Sequence, residues 1–220
     1  MPDFPKTGRN QVRRKPQRAD YQKETIYQII DEAPICHIGF VVDGQPYVIP
    51  TLHARQEDVI FLHGAPASRL LKVIDTGAEV CITITLVDGI VLARSAFHHS
   101  INYRSVVLFG RGALITASDQ KMAALAAITE HIAPGRWHEV RQPSRQELDA
   151  TTVVAVSIVS ASAKMRSGPP LDDEADYELP IWAGVLPIAQ VSGTPEPDPR
   201  LQAGIPLSPS LLRDPTRQRR

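Results

Sequence analysis

The sequence is poor in several features that assign chains to familiar functional classes. It has two cysteines in 220 residues, Cys36 and Cys81. Both lie inside apolar runs without CxxC spacing, which predicts buried small side chains in reducing surroundings rather than a disulfide or zinc site. Basic and acidic residues both number 24, so the formal net charge is zero and no overall field attracts nucleic acid or anionic lipid. There is no run of about 18 apolar residues and no apolar leader. We therefore expect a soluble, cytoplasmic protein that binds neither nucleic acid nor membrane.

Catalytic signatures are also lacking. The sequence has no GxSxG, no HExxH, no P-loop and no GxGxxG after a strand, so the catalytic residues are unknown at this stage. Its seven histidines are scattered without ligand spacing, which predicts no dedicated protein metal site. His37 is interpreted as a strand histidine, and the adjacent His98 and His99 are expected to point to opposite faces of a strand.

The chain divides into three parts by composition. Residues 1–19 form a basic, proline-containing arm, which we expect to lie on the body or on a partner subunit. Residues 20–190 form the folded domain. Residues 191–220 are rich in proline and are predicted to be a wrapping arm or disordered.

The domain reads as about six strands with a few helices. The runs ICHIGFVV and PYVIPTL flank Asp43-Gly44 and predict a hairpin. Pro50 places the second run at a sheet edge or bulge, with backbone groups available to a flat ligand. Asp20 and Asp119 are predicted to cap helices, and Ser144 to begin a third through a capping box. Short turns link the strands, so we predict a mainly β (α+β) fold, a closed or half-closed antiparallel barrel with covering helices.

An anion site is predicted where the strand DVIFLHG ends and a helix begins. Gly64, Ser68, Arg69 and Lys72 gather there. A hydroxyl and two cations near free backbone N–H groups suit a phosphate. An ordinary turn with Ser68 as N-cap is the alternative.

The succession PYVIPT, FLHGAPASRLLK, NYRSVVLFGRG and IWAGVLPI resembles the flavin-nucleotide-binding proteins of the pyridoxamine phosphate oxidase-like superfamily, a group that includes the nitroimidazole-resistance proteins. The resemblance covers roughly residues 20–190. It implies an FMN-binding split β-barrel that forms a homodimer with two FMN sites at the subunit interface.

The resemblance also assigns cofactor-binding residues. Val48, Ile49, Pro50 and Thr51 match the strand beside the isoalloxazine ring, and His63 and Gly64 match the end of the next strand. Ser68, Arg69 and Lys72 match the phosphate-binding turn, and Tyr103, Arg104 and Ser105 match a strand at the side of the cofactor. Trp182, Ala183 and Gly184 match a C-terminal segment that reaches the flavin of the other subunit. As alternatives, Trp182 is a plain dimer-interface anchor and Arg104 pairs with an acid such as Asp58 or Glu79.

Two departures from the motifs of the true oxidases narrow the range of reactions that we expect. The neutral PYVIPT replaces the basic strand motif of the true oxidases, and their C-terminal substrate-binding Arg/His pattern is missing after Trp182. We therefore expect an FMN-dependent oxidoreductase that passes electrons from NAD(P)H to a small planar acceptor, with His63 or His53 as a proton donor. The alternatives are a non-catalytic flavin carrier or sensor, and the same barrel holding haem or a deazaflavin.

Overall fold

The computed structural model describes residues 3–212. The strands within this range are β1 (Ala19–Asp20), β2 (Ile35–Val42), β3 (Gln45–Leu52), β4 (Ala54–Gln56), β5 (Val59–Gly64), β6 (Glu79–Leu92), β7 (Ser100–Leu114), β8 (Thr152–Arg166) and β9 (Gly184–Pro187). The α-helices are α1 (Lys23–Glu32), α2 (Arg69–Asp75), α3 (Ser118–Ile132), α4 (Arg145–Asp149) and α5 (Pro209–Leu212). Short 3₁₀ helices lie at Pro16–Arg18, Ala96–His98, Arg136–Glu139 and Glu174–Glu178.

All the strands belong to one antiparallel sheet. Its main path runs β3-β2-β6-β7-β8-β5-β4, while β1 pairs with β8 and β9 pairs with β6. The two ends of the path, β3 and β4, are not hydrogen-bonded to each other, so the sheet curls without closing. The predicted mainly β fold is confirmed, in its half-closed form: a split β-barrel with covering helices.

Alternation along the central strands explains where the core lies. Val80, Ile82 and Ile84 of β6 are buried and pair across to the β7 residues Gly110, Leu108 and Val106. Residues between them are more exposed, as expected of a sheet with one covered face. The apolar sides of α1 and α2 close that inner face with the buried residues Ile26, Ile29, Ile30, Leu70, Leu71 and Ile74.

Some strand predictions need correction. The run AEVCITITLVDG predicts a strand that ends at Gly89. Instead, β6 continues to Leu92, with a register shift between Val87 and Gly89. The two glycines of NYRSVVLFGRG predict a bend or a close approach of another backbone. The bend is confirmed, because the register with β8 shifts between Phe109 and Gly110. A Cβ on Gly110 would overlap the carbonyl oxygen of Ser157. The short strands β1, β4 and β9 were not predicted, since two to four residues carry little periodicity.

The predicted helix starts are partly wrong. The N-caps of α1 and α3 are Gln22 and Ala117, whereas Asp20 lies in β1 and Asp119 in the first turn of α3. Asp20 still contacts the start of α1, because its carboxylate accepts a hydrogen bond from the backbone N–H of Gln22 at 2.8 Å. The capping box at Ser144 is confirmed, with reciprocal bonds to Glu147.

Both arms lie on the body. Phe4 of the N-terminal arm is 4% exposed and joins the core, and the Asn10 amide donates to the Ala161 carbonyl at 2.9 Å. In the C-terminal tail, the Ser210 hydroxyl donates to Glu139 at 2.7 Å. The contacts around residues 208–210 favour the wrapping-arm alternative for the tail, which stays a prediction. Residues 1–2 and 213–220 lie outside the described range.

Candidate functional site

The cations predicted to bind phosphate line a groove at one end of the barrel. Arg69 and Lys72 border a cavity of about 410 Å³ together with apolar and small side chains. These other lining residues are Val42, Ala67, Val73 and Thr76. The groove is therefore apolar over most of its wall and cationic on one side, which suits a flat organic group that carries an anion.

Neither cation of the groove has an acidic partner in the described part of the chain. Within residues 3–212, the side chains of Arg69 and Lys72 make no hydrogen bond or ion pair to an acid. The Arg69 guanidinium lies 4.5 Å from the centre of the Tyr47 ring, a cation–π contact that fixes it against β3. Two exposed cations held on one helical turn form a ready partner for an anion.

Ser68 occupies the N-cap position of α2, as the alternative predicted, but its side chain makes no capping hydrogen bond. The hydroxyl is thus not committed to the helix. Since α2 has only seven residues, the positive charge of this end comes mainly from Arg69 and Lys72 rather than from the helix dipole.

The predicted ring-binding strand lies at an open edge. Val48, Ile49, Pro50 and Thr51 belong to β3, which pairs only with β2 among the described strands. The edge position predicted from Pro50 is confirmed. One side of the β3 backbone therefore has free donors and acceptors, and Val48 is 67% exposed. Tyr47, which sequence reasoning missed, joins this edge to Arg69; an aromatic residue at the start of an edge strand was the available signal.

Arg104 has a different environment from Arg69. Its guanidinium is 2.5 Å from Glu32 and 2.8 Å from Asp88, and these two carboxylates raise its pKa. The acid-pairing alternative is thus supported with other partners than those expected, since Asp58 binds Lys23 and Glu79 binds Arg9. Its assignment as a flavin contact remains a prediction.

The cationic groove and Arg104 lie at opposite ends of the barrel. Arg111 of β7 donates to the Gly77 carbonyl, just after α2, at 2.9 Å. Residues 104–111 of one extended strand span about 20 Å. Within one chain, therefore, Arg69 and Lys72 are not brought together with Arg104.

Tyr103 and Ser105 face the outer side of the sheet, the opposite side from Arg104. The Ser105 hydroxyl donates to the Lys164 carbonyl at 3.1 Å. Trp182 is 69% exposed and its ring lies over Gly184 at the start of β9, where an added Cβ would be 2.9 Å from a ring carbon. Ala183 lies between Trp182 and Gly184 in the sequence. These three residues therefore lie on the outer side of the barrel, at the same end as Arg104.

His63 and Gly64 end β5 as predicted. Burial lowers the pKa of His63, and its Nδ1 is buried without a hydrogen-bond partner. A Cβ on Gly64 would lie 3.2 Å from Leu71, so glycine permits close packing of the β5 end on α2.

Two histidines close the C-terminus of α1. The Nε2 of His53 lies 3.1 Å from the Ile30 carbonyl, and the Nε2 of His131 lies 2.8 Å from the Ala33 carbonyl. Because a carbonyl can only accept, both Nε2 atoms carry hydrogen. Burial, with the nearby His131, lowers the pKa of His53 to about 4. This position argues against His53 as a proton donor to a bound cofactor, because the ring is fully buried and its N–H is committed.

The paired histidines do not lie on a strand as expected. His98 ends the 3₁₀ helix Ala96–His98, and His99 is the residue that follows it. The prediction of opposite strand faces is therefore wrong. No group of three metal-ligating side chains occurs within the described residues. Cys36 is buried, Cys81 is half-buried, and both are free thiols. No helix in residues 3–212 is both long and apolar enough to cross a membrane.

The half-closed barrel, the open β3 edge and the cationic groove define a split-barrel protein, and sequence comparison agrees. Residues 22–165 match the model of the family described as pyridoxamine 5'-phosphate oxidase. The chain belongs to this family. None of the curated proteins searched matches the sequence.

Solved structures give a finer comparison. The chain is similar to the flavocytochrome Anf3 from Azotobacter vinelandii, with a TM-score of 0.90, 40% identity and coverage of 97% of this chain and 99% of that one. It is also similar to the FAD and haem binding protein from Mycobacterium smegmatis, with a TM-score of 0.86, 35% identity and coverage of 90% and 97%.

A third similar structure is a protein assigned to 5-nitroimidazole antibiotic resistance in Bacteroides thetaiotaomicron. Its TM-score is 0.57 at 24% identity, with coverage of 66% of this chain and 85% of that one. That likeness concerns the fold alone. In contrast, the similarity to the flavocytochrome Anf3 covers 97% of this chain and therefore extends into both arms.

Proposed function

We propose that this protein binds a flavin nucleotide and transfers electrons from NAD(P)H to a small planar acceptor. The observation that carries the proposal is the pair of unneutralised cations, Arg69 and Lys72, in an apolar-walled groove beside the β3 edge. Support also comes from the two similar structures of 40% and 35% identity, whose names record a flavocytochrome and an FAD and haem binding protein.

The residues present fit a flavin. Arg69 and Lys72 would hold its phosphate, with the uncommitted hydroxyl of Ser68 nearby. The β3 backbone from Val48 to Thr51 would offer hydrogen bonds to the edge of the ring. The phosphate next to the ribityl chain is common to FMN and FAD, so this groove serves both. Our prediction is FMN, and chromatography of the released cofactor distinguishes it from FAD.

A shared site explains the distance between the predicted groups. Tyr103, Ser105 and Trp182 lie at the barrel end opposite the cationic groove, too far to line the same site within one chain. A second copy of the chain would bring them to it. Exposed apolar side chains on the outer side of β2 and β3, Val41 at 59% and Val48 at 67%, give a surface for that contact. We therefore propose a homodimer with two flavin sites, and a strict monomer with full flavin occupancy would contradict it.

The flavin, when bound, supplies hydride chemistry, and the chain supplies position and electrostatics. Arg69 and Lys72 neutralise the phosphate. The apolar side chains Val42 and Val73 limit water in the groove. No side chain has to act as an acid or base. His63, whose pKa is lowered by burial, is the remaining proton-donor hypothesis.

An absorption spectrum of the purified protein followed by anaerobic titration with NADPH tests the proposal. We expect flavin bands that bleach on titration and return when a quinone or nitroaromatic compound is added. A flavin that stays oxidised under both NADH and NADPH would favour the carrier or sensor alternative. A protein without any flavin band, and unable to bind added FMN or FAD, would refute the proposal. A deazaflavin would give a distinct absorption peak.

Haem binding is a second candidate function. The names of the two similar structures of 40% and 35% identity both record haem or cytochrome character. The specific observation in this chain is His99, whose ring is oriented by a backbone carbonyl on a largely apolar surface. Haem and flavin can be detected independently because their absorption bands differ.

A further inference from the structure

The imidazole of His99 is held in the way that metal-ligating histidines are held. Its Nδ1 lies 3.0 Å from the Ser95 carbonyl oxygen. Because that oxygen can only accept, Nδ1 carries the hydrogen and Nε2 keeps its lone pair. His99 is exposed, so this lone pair is open to a ligand. Metal-bound histidines usually donate their second ring N–H to a carbonyl or carboxylate in the same manner.

The other histidines lack this combination. His53 and His131 use Nε2 to donate to the end of α1. His98 turns its Nε2 toward Asp173, at 3.4 Å. The remaining histidines, for which no orienting hydrogen bond is found within residues 3–212, are His37, His63 and His138. Of the histidines, then, His99 is the one with an oriented ring and a free, exposed Nε2.

A strip of apolar side chains lies next to His99. Leu186, Ile90 and Ile101 are cross-strand neighbours on β9, β6 and β7. Their exposed fractions are 54%, 38% and 47%. His99 (φ −56°, ψ 143°) leads directly into β7 and precedes Ile101 by two positions. Its strand-like ψ places its side chain on the same side as that of Ile101. The three apolar residues are called the outer strip below.

Aromatic side chains border the outer strip. Gly184 and Leu186 face the same side of β9, and the Trp182 ring lies over Gly184. Phe97, the middle residue of the 3₁₀ helix that precedes His99, is 89% exposed. Exposed apolar surface of this kind is uncommon on a protein that has no partner for it.

The metal must bring its other ligands with it. No cluster of three ligating side chains occurs in the described part of the chain, so a bare zinc or copper ion would have His99 as its single strong ligand here. An iron porphyrin supplies four nitrogen ligands, is flat and apolar, and needs an axial imidazole. The outer strip offers an exposed apolar surface for the porphyrin, and the propionates would extend into solvent.

We propose that His99 is the axial ligand of a haem that lies against the outer strip, with Trp182 at its border. Nε2 donates its lone pair to the iron in place of a water molecule, and no proton or electron is transferred in that step. This inference rests on the haem candidate of the proposed function and names its ligand and surface. It assigns Trp182 a role at the haem surface beside the role predicted for it at the flavin.

Titration of the purified full-length chain with ferric haem tests the ligand. The measured quantities are the Soret band, the electron paramagnetic resonance spectrum and quenching of tryptophan fluorescence. We expect saturable binding by the parent and binding at least tenfold weaker in His99→Ala, about 1.4 kcal/mol or more. His98→Ala is the matched control and should bind within twofold of the parent. Added imidazole should restore the parent spectrum to His99→Gly.

The outcomes separate the inference from the wider haem candidate. If the parent binds no haem, both are wrong. If the parent binds haem and His99→Ala keeps the parent's affinity and spectrum, only the ligand assignment is wrong. Flavin bands, read in the same samples, should be unchanged by His99→Ala. Circular dichroism establishes that the variants are folded.

A second variant tests the surface. Ile101→Glu places a carboxylate in the outer strip and should weaken haem binding at least tenfold, because burying that charge against the porphyrin is costly. A second copy of the chain is the competing occupant of the strip. If Ile101→Glu instead converts a dimer to a monomer in sedimentation and leaves haem affinity unchanged, the strip is an interface between copies and the proposal is wrong.

Discussion

The two ends of the barrel differ in whether their charged side chains have partners. At the end around the C-terminus of α1, Arg104 is held between Glu32 and Asp88, while His53 and His131 bind the helix carbonyls. At the other end, Arg69 and Lys72 line a groove, and no acid within residues 3–212 pairs with them. We call these the closed end and the open end.

The difference indicates which arginine is available to a ligand. Arg69 and Arg104 both stand beside a serine in sequence stretches that resemble flavin-binding motifs. At the closed end the carboxylates already satisfy the guanidinium, whose removal would leave them facing each other. At the open end the positive charge is exposed and has no acidic partner within residues 3–212. We therefore propose that the phosphate of a bound flavin lies at Arg69 rather than at Arg104, and variants at each end should behave differently.

Acid should destabilise the closed end of the barrel before the open end. The pKa of His53 is lowered from 6.5 to about 4 in the folded protein, so the unfolded chain takes up a proton that the folded chain refuses. Stability is therefore full above pH 6.5 and falls as the pH drops toward 4, by roughly 3 kcal/mol from this group. Urea unfolding across this range measures the loss.

The control for the acid experiment is a pair of variants. His53→Gln keeps a donor for the Ile30 carbonyl and should lose much of the pH dependence between 6.5 and 4. The exposed His138→Gln should keep it. Identical pH profiles for the parent and His53→Gln would contradict the assignment.

Replacing the cations of the open end should weaken flavin binding. We expect the double variant Arg69→Ala/Lys72→Ala to bind FMN or FAD about a hundredfold more weakly, because two charge-assisted contacts to phosphate are lost. Both side chains are exposed, so the free energy of unfolding without flavin should change little. Fluorescence titration of the flavin-free protein measures the affinity.

Arg104→Met should have the reverse profile. It leaves Glu32 and Asp88 without their shared cation, which should lower the free energy of unfolding by about 1–2 kcal/mol at this half-exposed site. Flavin affinity should change by less than about threefold, corresponding to under 1 kcal/mol. A loss of flavin binding as large as that expected for Arg69 would instead establish Arg104 as a cofactor contact.

The smallest expected effect compares two serines at helix starts. Ser144 caps α4 through a complete capping box, whereas Ser68 makes no capping hydrogen bond at α2. Ser144→Ala should cost about 1 kcal/mol of stability and Ser68→Ala less than about 0.5 kcal/mol. Equal losses in chemical unfolding would mean that the Ser68 hydroxyl is committed to its helix.

Local sequence signals predicted much of the fold. Alternating apolar residues identified the long strands, and the positive φ of Gly44 agrees with the predicted hairpin turn. The contacts that distinguish Arg104 from Arg69 could not be predicted, because Glu32 lies on α1 and Asp88 on β6. Likewise, His99 gains its orientation from a turn that the pattern of the sequence placed on a strand. The positions of strands and turns depend on local sequence. The ion-pair and hydrogen-bond partners of a side chain depend on which elements the folded sheet brings together.

The most direct test is flavin binding by three purified proteins: the parent, Arg69→Ala/Lys72→Ala and Arg104→Met. Each is stripped of flavin and titrated with FMN and with FAD under the same conditions. The account predicts that the parent and Arg104→Met bind with affinities within about threefold, while the double variant is about a hundredfold weaker. Equal affinity for all three proteins, or no binding by the parent, would contradict the assignment of the open end as the site that binds the phosphate of a flavin.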